Sequence, residues 1–383
     1  MRGVTVMKLF FRGVMAALLC LCLFCSVLCL PAAAEPSVSA ACAVVMDADS
    51  GQIVWAKNAD TRHAMASTTK IMTALVALRS AELDRAVEVS AQAAGIEGSS
   101  VYLYPGEKLT LEELLYAMLL ESANDAAAAI AIALSGSVEA FANEMNVCAA
   151  ELGLTDTHFT NPHGLWDEDH YTTAAELAHI ARAAMTYPAF RTMVATYRKT
   201  IPLNQTEGVR LLINHNKLLK LSSDVIGVKT GYTRKSGRCL VSAAERNGVT
   251  LIAVTLDAPD DWRDHLQMLD YGFSRLTHYS FGAAGELCYT LPVVGGEPGY
   301  LTVFNTAPLA VTLDADAPPP ELRIELPHML YAPVEADTAL GQICCISEGK
   351  VVAQVPLAAA FSVERIPTKE GFWTRLGRFL GIC

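Results

Sequence analysis

The sequence predicts an α+β protein. An antiparallel sheet flanked by helices is joined to a mostly helical subdomain and followed by a small all-β domain. Three observations carry this. Strand pairs lie near both ends of residues 36–280, with helical runs between them. Asn247-Gly248, set between two apolar runs, is a strong hairpin signal. Residues 285–363 carry many prolines and short β-type runs, with hardly any helical periodicity.

The elements follow in order. An apolar strand at 42–46 turns through Asp47-Ala48-Asp49-Ser50-Gly51 into a second strand at 52–56. Ser67 opens a helix, and its stretch 71–78 is apolar on nearly all sides, so it belongs inside the protein. Thr110-Leu111-Glu112-Glu113 reads as a capping box, in which hydroxyl and carboxylate each satisfy a free backbone N–H. The helix that follows is interrupted by Glu121-Ser122-Ala123-Asn124-Asp125 and resumes over 126–134. Further helices are expected at 138–152 and 173–185, so 80–200 is mostly α. Strands return at 224–232, 238–244 and 249–256, and a helix over 262–276 closes the unit.

The chain has 383 residues, 52% hydrophobic and 18% charged, which suits large buried cores and argues against disorder. A net charge of -11 gives no basis for a nucleic-acid partner. Arg2, Lys8 and Arg12 precede an apolar run over 14–30 and then Pro31-Ala32-Ala33-Ala34. This reads as a secretory signal, 1–34, cleaved after Ala34, and so as an exported protein. An uncleaved membrane helix is the rival reading, and the small residues favour cleavage. Four of the eleven cysteines, Cys20, Cys22, Cys25 and Cys29, fall in that segment. The other seven, Cys42, Cys148, Cys239, Cys288, Cys344, Cys345 and Cys383, sit mostly among apolar neighbours and read as buried thiols. In the tail, 366–383, Phe372, Trp373, Leu376, Phe379 and Leu380 share a helical face opposite Arg375 and Arg378. That pattern suits a membrane-surface helix; docking on the β domain is the alternative.

Three short motifs occur in order: Ser67-Thr68-Thr69-Lys70, Ser122-Ala123-Asn124 and Lys229-Thr230-Gly231. S-x-x-K, S-D-N and K-T-G are an established set for penicillin-binding proteins and class A β-lactamases. Alone, S-x-x-K is weak, and Ser67 could serve only as a helix cap. Lys70 lies one turn on, on the same face, and burial would lower its pKa enough to make it a base for the hydroxyl. Ser122 and Asn124 sit at a helix break, where they either cap it or point into a cleft. Lys229 and Thr230 lie late in a strand, where an extended peptide can pair, and Gly231 allows close backbone approach. Arg234, Lys235 and Arg238 follow, a basic cluster in an acidic chain that fits an anionic C-terminal carboxylate or a solvated turn.

With these motifs the chain resembles the low-molecular-weight D-alanyl-D-alanine carboxypeptidases among penicillin-binding proteins. The resemblance extends to Met46-Asp47-Ala48-Asp49-Ser50-Gly51, Tyr104-Pro105-Gly106-Glu107-Lys108-Leu109-Thr110 and Thr157-His158-Phe159-Thr160-Asn161-Pro162-His163-Gly164-Leu165. Asn214-His215-Asn216-Lys217-Leu218-Leu219 and Gly227-Val228-Lys229-Thr230-Gly231-Tyr232-Thr233 match too. It implies a penicillin-binding/β-lactamase-like domain, and a serine peptidase acting on peptidoglycan stem peptides and acylated by β-lactam antibiotics. Ser67 would be the nucleophile, Lys70 its base and Ser122 a further catalytic hydroxyl. Asn124, Lys229, Thr230, Gly231 and, by a looser match, Arg263 would bind substrate. The backbone N–H groups of Ser67 and Tyr232 would form the oxyanion hole. No metal or cofactor is expected. The enzyme would work at the outer face of the cytoplasmic membrane or in the cell-wall space.

Three rival readings fit less well, one of them a non-enzymatic wall-binding or scaffold protein with a decayed site, which the presence of every motif side chain disfavours. A class A β-lactamase needs a deacylating glutamate between the second and third motifs, where Asn161-Pro162-His163-Gly164-Leu165 stands instead. A metallopeptidase would use the ligand-rich stretch from His163 to His170, but no H-E-x-x-H accompanies it.

Overall fold

The computed structural model describes residues 34–204 and 208–367. The expected signal through residue 33, and the tail from residue 368 with Cys383, lie outside the described residues. The chain runs β1 (Cys42–Asp47), β2 (Ile53–Lys57), α1 (Lys70–Ser80), β3 (Ala86–Glu88), β4 (Lys108–Thr110), α2 (Leu111–Leu120) and α3 (Asn124–Ser135). Then come α4 (Val138–Glu151), α5 (Ala174–Met185), α6 (Pro188–Ala195), β5 (Arg198–Leu203), β6 (Gly208–Ile213) and α7 (Leu218–Leu221). The unit ends with β7 (Val225–Thr233), β8 (Gly237–Arg246), β9 (Val249–Leu256), α8 (Asp261–Arg275) and β10 (Leu276–Gly282).

Five strands form an antiparallel sheet in the order β2-β1-β9-β8-β7. Its interior strands are buried on both faces, so their sequences read as continuous apolar runs rather than alternating ones. The alternation survives in where the side chains go. In β1, Cys42, Val44 and Met46 enter one core, while Ala43 and Val45 enter the other. In β9, Ile252, Val254 and Leu256 join the first core, and Leu251 and Ala253 the second. The first core is covered by α1 and the helical subdomain, the second by Met268 and Leu269 of α8 with Leu218 of α7. β7 is a sheet edge: among the described strands only β8 pairs with it.

The sequence reading holds for most helices, with instructive differences. Thr110 and Glu113 form the reciprocal capping box at α2. At α5 only half of one forms. Thr173 accepts from the Glu176 N–H, but the Glu176 carboxylate turns away to accept from the N–H groups of Thr155 and Asp156 and from the Thr157 hydroxyl. The helix after the motif break begins at Asn124, two residues before the apolar run, because the polar pair Asn124-Asp125 forms its first turn. The short pair β3–β4 and the hairpin β5–β6 were not legible, since neither shows a clean period of two.

That hairpin is tied to the helical subdomain by a buried ion pair. Arg210 of β6 donates to Glu107 at 2.9 Å, with side-chain exposures of 10% and 0%. Arg210 also donates to the Val101 and Tyr102 carbonyls.

After α8, β10 pairs antiparallel with Leu309–Asp314. Six of the remaining strands, Cys288–Val294, Tyr300–Asn305, Glu321–Glu325, Leu330–Tyr331, Ala339–Ser347 and Lys350–Ala359, build a six-stranded sheet, and Gly296–Glu297 pairs with Glu364–Arg365. This β region has cores of its own, one around Val303, Ile343, Cys345 and Leu357 and another around Val293, Leu301 and Ala359. Five cysteines are buried free thiols, as expected: Cys42, Cys148, Cys239, Cys344 and Cys345. Cys288 departs from that expectation: it begins the strand Cys288–Val294 at a position that is exposed.

Glu107→Ala leaves Arg210 charged and nearly buried without its partner. The variant is expected to lose about 3–5 kcal/mol of stability, read as a lowered urea midpoint.

Candidate active site

Ser67 does not cap α1. It lies in a tight turn, Ala66–Thr69, that runs straight into the helix, and no side chain caps that helix end. The two threonines of Ser67-Thr68-Thr69-Lys70 lock the turn. Thr68 Oγ1 donates to the Met65 carbonyl at 2.6 Å, and Thr69 Oγ1 to the Ala66 carbonyl at 2.7 Å. Ala66 itself has φ of 48°, an uncommon value for a residue with a Cβ.

Lys70, the first residue of α1, is fully buried. Its Nζ lies 3.0 Å from Ser67 Oγ, 2.7 Å from Asn124 Oδ1 and 2.6 Å from the His163 carbonyl. Asn124 is oriented unambiguously, because its Nδ2 donates to the Glu97 carbonyl at 2.7 Å. Burial, and then the nearby charge of Lys229, hold the Lys70 amine well below the ordinary lysine range. A neutral amine has two N–H donors and one lone pair. Asn124 Oδ1 and the His163 carbonyl can only accept, so they take the two donors. The lone pair is left for the Ser67 hydroxyl, which is the arrangement a general base requires.

Ser122 sits at the break between α2 and α3, 5% exposed, with φ of 60°. A serine held in the left-handed region costs on the order of 1 kcal/mol or more and points to a functional constraint. β7 approaches from the other side. A Cβ built on Gly231 would lie 3.0 Å from the Ser67 backbone nitrogen and 3.1 Å from the Met65 carbonyl. Glycine therefore lets the edge strand touch the Ser67 turn. Lys229 is buried, donates to the Thr230 carbonyl at 3.1 Å, and is pushed down to about 7, chiefly by burial, with the Glu121 charge opposing.

The structure thus brings Ser67, Lys70 and Asn124 into direct contact, with Gly231 against the Ser67 turn and Ser122 two residues before Asn124. Arg263 is not brought in. It projects from the first turn of α8 with its side chain 72% exposed, and its ion pair is with Asp260 at 3.9 Å. Of the basic cluster, Arg238 is taken by Asp261 at 2.9 Å, while Arg234 and Lys235 are exposed.

The loop after α4 contributes what sequence reasoning missed. Its Asn161 Oδ1 accepts from the Gly164 N–H at 2.7 Å, and the Pro162 carbonyl accepts from Thr73 of α1 at 2.6 Å. Gly164, with φ of 86°, crosses so close that a Cβ would meet the Ala66 carbonyl. The His163 ring is pushed down to about 3 by burial and by Lys70. His170 Nε2 lies 2.8 Å from Thr69 Oγ1. His170 thus braces the Ser67 turn; among the described residues no group of His, Cys, Asp and Glu is arranged to hold a metal ion. The turn-forming Asn161-Pro162-His163-Gly164 was the available signal, but a backbone carbonyl leaves no mark of its own on a sequence.

Fold and site together define a serine peptidase of the penicillin-binding class. The family model described as D-alanyl-D-alanine carboxypeptidase matches residues 31–260. A D-alanyl-D-alanine carboxypeptidase of Bacillus subtilis, DacF, is 32% identical over 88% of this chain and 88% of its own. The crystal structure of penicillin-binding protein 5 from Haemophilus influenzae superposes with a TM-score of 0.64 at 27% identity, covering 87% of this chain and 99% of that one. The Streptomyces K15 DD-transpeptidase gives 0.60 at 34% identity, covering 63% of this chain and 99% of its own. The chain belongs to the D-alanyl-D-alanine carboxypeptidase family.

If Lys229 helps keep Lys70 neutral, Lys229→Met removes a like charge and raises the Lys70 pKa. Isotope-edited NMR of the lysine side chains is expected to show Lys70 losing its proton at higher pH in the variant than in the parent.

Proposed function

We propose that Ser67 is the nucleophile and Lys70 the base with which this serine-type D-Ala-D-Ala carboxypeptidase removes the terminal D-alanine from peptidoglycan stem peptides. The Lys70 lone pair, aimed at Ser67 Oγ from 3.0 Å by two fixed acceptors, carries the reading.

The substrate's terminal carboxylate lies against Lys229 and Thr230, and its backbone pairs with the open edge of β7. Ser67 Oγ attacks the carbonyl carbon of the penultimate D-alanine as its proton passes to Lys70. The backbone N–H groups of Ser67 and Tyr232 stabilise the oxyanion. Collapse breaks the C–N bond, the leaving nitrogen receives the proton through Ser122, and free D-alanine departs. Water, deprotonated by the same base, attacks the ester and releases the shortened peptide and Ser67. A β-lactam enters by the first step, its ring amide opening to leave an acyl group on Ser67. Arg263, exposed on its helix, assists the carboxylate only by swinging inward.

Residues 36–280 act in this reading as the catalytic domain and 285–363 as a separate β domain. Residues 1–34 direct export to the cell-wall space, and the amphipathic tail holds the enzyme on the outer membrane face; the sequence patterns of both segments support this.

Ser67→Ala is expected to abolish labelling by a fluorescent penicillin and cleavage of a D-Ala-D-Ala peptide, with an unchanged circular dichroism spectrum. Retained labelling would refute the assignment. The pH profile of kcat/KM should be bell-shaped. Activity rises as Lys70 loses its proton and falls as Lys229 loses its charge through about 7. Lys229→Arg keeps the charge at all working pH values, so whatever activity remains should lack the alkaline limb.

A further inference from the structure

The cations beyond the third motif lie at the wrong end of the site for the substrate's terminal carboxylate. The Ser67 turn packs against Gly231. With the terminal carboxylate at Lys229 and Thr230 and the scissile carbonyl between the N–H groups of Ser67 and Tyr232, the substrate runs antiparallel to β7. The residues upstream of the cleaved bond then pass Tyr232 and Thr233 and reach Arg234 and Lys235. At about 3.4 Å per residue, Arg234 lies about 7 Å upstream of the oxyanion donor, one or two substrate residues away.

That end of the track is a built feature. Thr233 and Ser236 close the turn on each other: each N–H donates to the other's hydroxyl, at 3.1 and 3.0 Å, and the hydroxyls lie 2.8 Å apart. The turn therefore holds Arg234 and Lys235 at its tip. Across from it, the loop pinned at Gly164 under the nucleophile presents Trp166 two residues later. Lys235 Nζ lies 5.3 Å from the Trp166 ring centroid, and Trp166 is 54% exposed. Tyr232, 65% exposed, follows Gly231 in the chain and precedes the turn. Among the described residues neither Arg234 nor Lys235 has an ion-pair partner. The acidic residues after Trp166 do not supply one; Asp167 accepts from the Asp169 N–H. Two exposed, unpaired cations, one of them over an exposed indole ring, in a chain of net charge -11, form an anion-selective subsite.

We infer that Arg234 and Lys235, walled by Trp166 and Tyr232, select stem peptides whose residue just before the two D-alanines carries a free side-chain carboxylate. The inference rests on the carboxypeptidase reading and deepens it: the cluster reads the upstream residue, not the departing D-alanine.

Two acylated tripeptides ending in D-Ala-D-Ala, with glutamate or glutamine as the upstream residue, differ only in carboxylate against carboxamide. The parent enzyme should cleave the glutamate peptide with kcat/KM about tenfold higher, a difference equal to about 1.4 kcal/mol. That preference should shrink toward one as salt rises to about 0.5 M, because the subsite is solvent-exposed. R234Q/K235Q should bring the ratio to about one, and R234E/K235E below one, with penicillin labelling showing that the site is still formed. Equal rates for the two peptides in the parent at low salt would overturn the inference, as would a preference that persists in R234Q/K235Q. Should a variant fail to label, the salt dependence of the parent ratio decides alone: a ratio indifferent to salt refutes the subsite. Cleavage of neither peptide and no penicillin labelling would overturn the carboxypeptidase reading itself.

Discussion

The site depends on one amine buried away from water, with two fixed acceptors beside it and the Ser67 hydroxyl on its remaining side. Lys70 is buried by the apolar length of α1, so its charged form lacks water. Asn124 and the His163 carbonyl then fix where its hydrogens point, and hence where its lone pair points. Neither condition suffices alone. A buried amine with free rotation would share its lone pair among directions, and a fixed but hydrated one would stay protonated at neutral pH.

Much of the surrounding structure serves that arrangement. The turn Ala66–Thr69 is tied by its own threonines and braced by His170. The loop carrying His163 is held by Asn161 and by Thr73 of α1, and Gly164 lets it cross under the nucleophile. Gly231 plays the same part on the opposite side, bringing a sheet edge within contact of the Ser67 backbone. The two glycines do different jobs. Gly164 needs both a left-handed backbone and the absence of a Cβ, whereas Gly231 needs only the missing Cβ. Two of the non-glycine residues with positive φ, Ala66 and Ser122, also lie here.

The three cations of β7 and its turn differ by position. Lys229 is buried beside Thr230 and carries the positive field that disfavours a second charge on Lys70. Arg234 and Lys235, only a few residues on, stand in solvent because the strand has turned by then. One short stretch of β7 and its turn thus presents a desolvated charge near the reacting bond and hydrated charges further along the substrate.

Sequence alone determined the large apolar elements, because a helix apolar on every side and strands apolar on both faces have few other places to go. It also supplied the three motifs, since a hydroxyl and an amine one helical turn apart must share a face. The capping box at Thr110 was readable for the same local reason. Tertiary structure decided what depends on contacts between distant segments. The Glu176 carboxylate found the 155–157 turn instead of its own helix end. Arg263 remained in solvent, and the hairpin β5–β6 was secured by Arg210 on Glu107. Above all, a backbone carbonyl at residue 163 orients the Lys70 amine, and no residue type encodes a carbonyl: every residue has one, and only the packed chain says where it points.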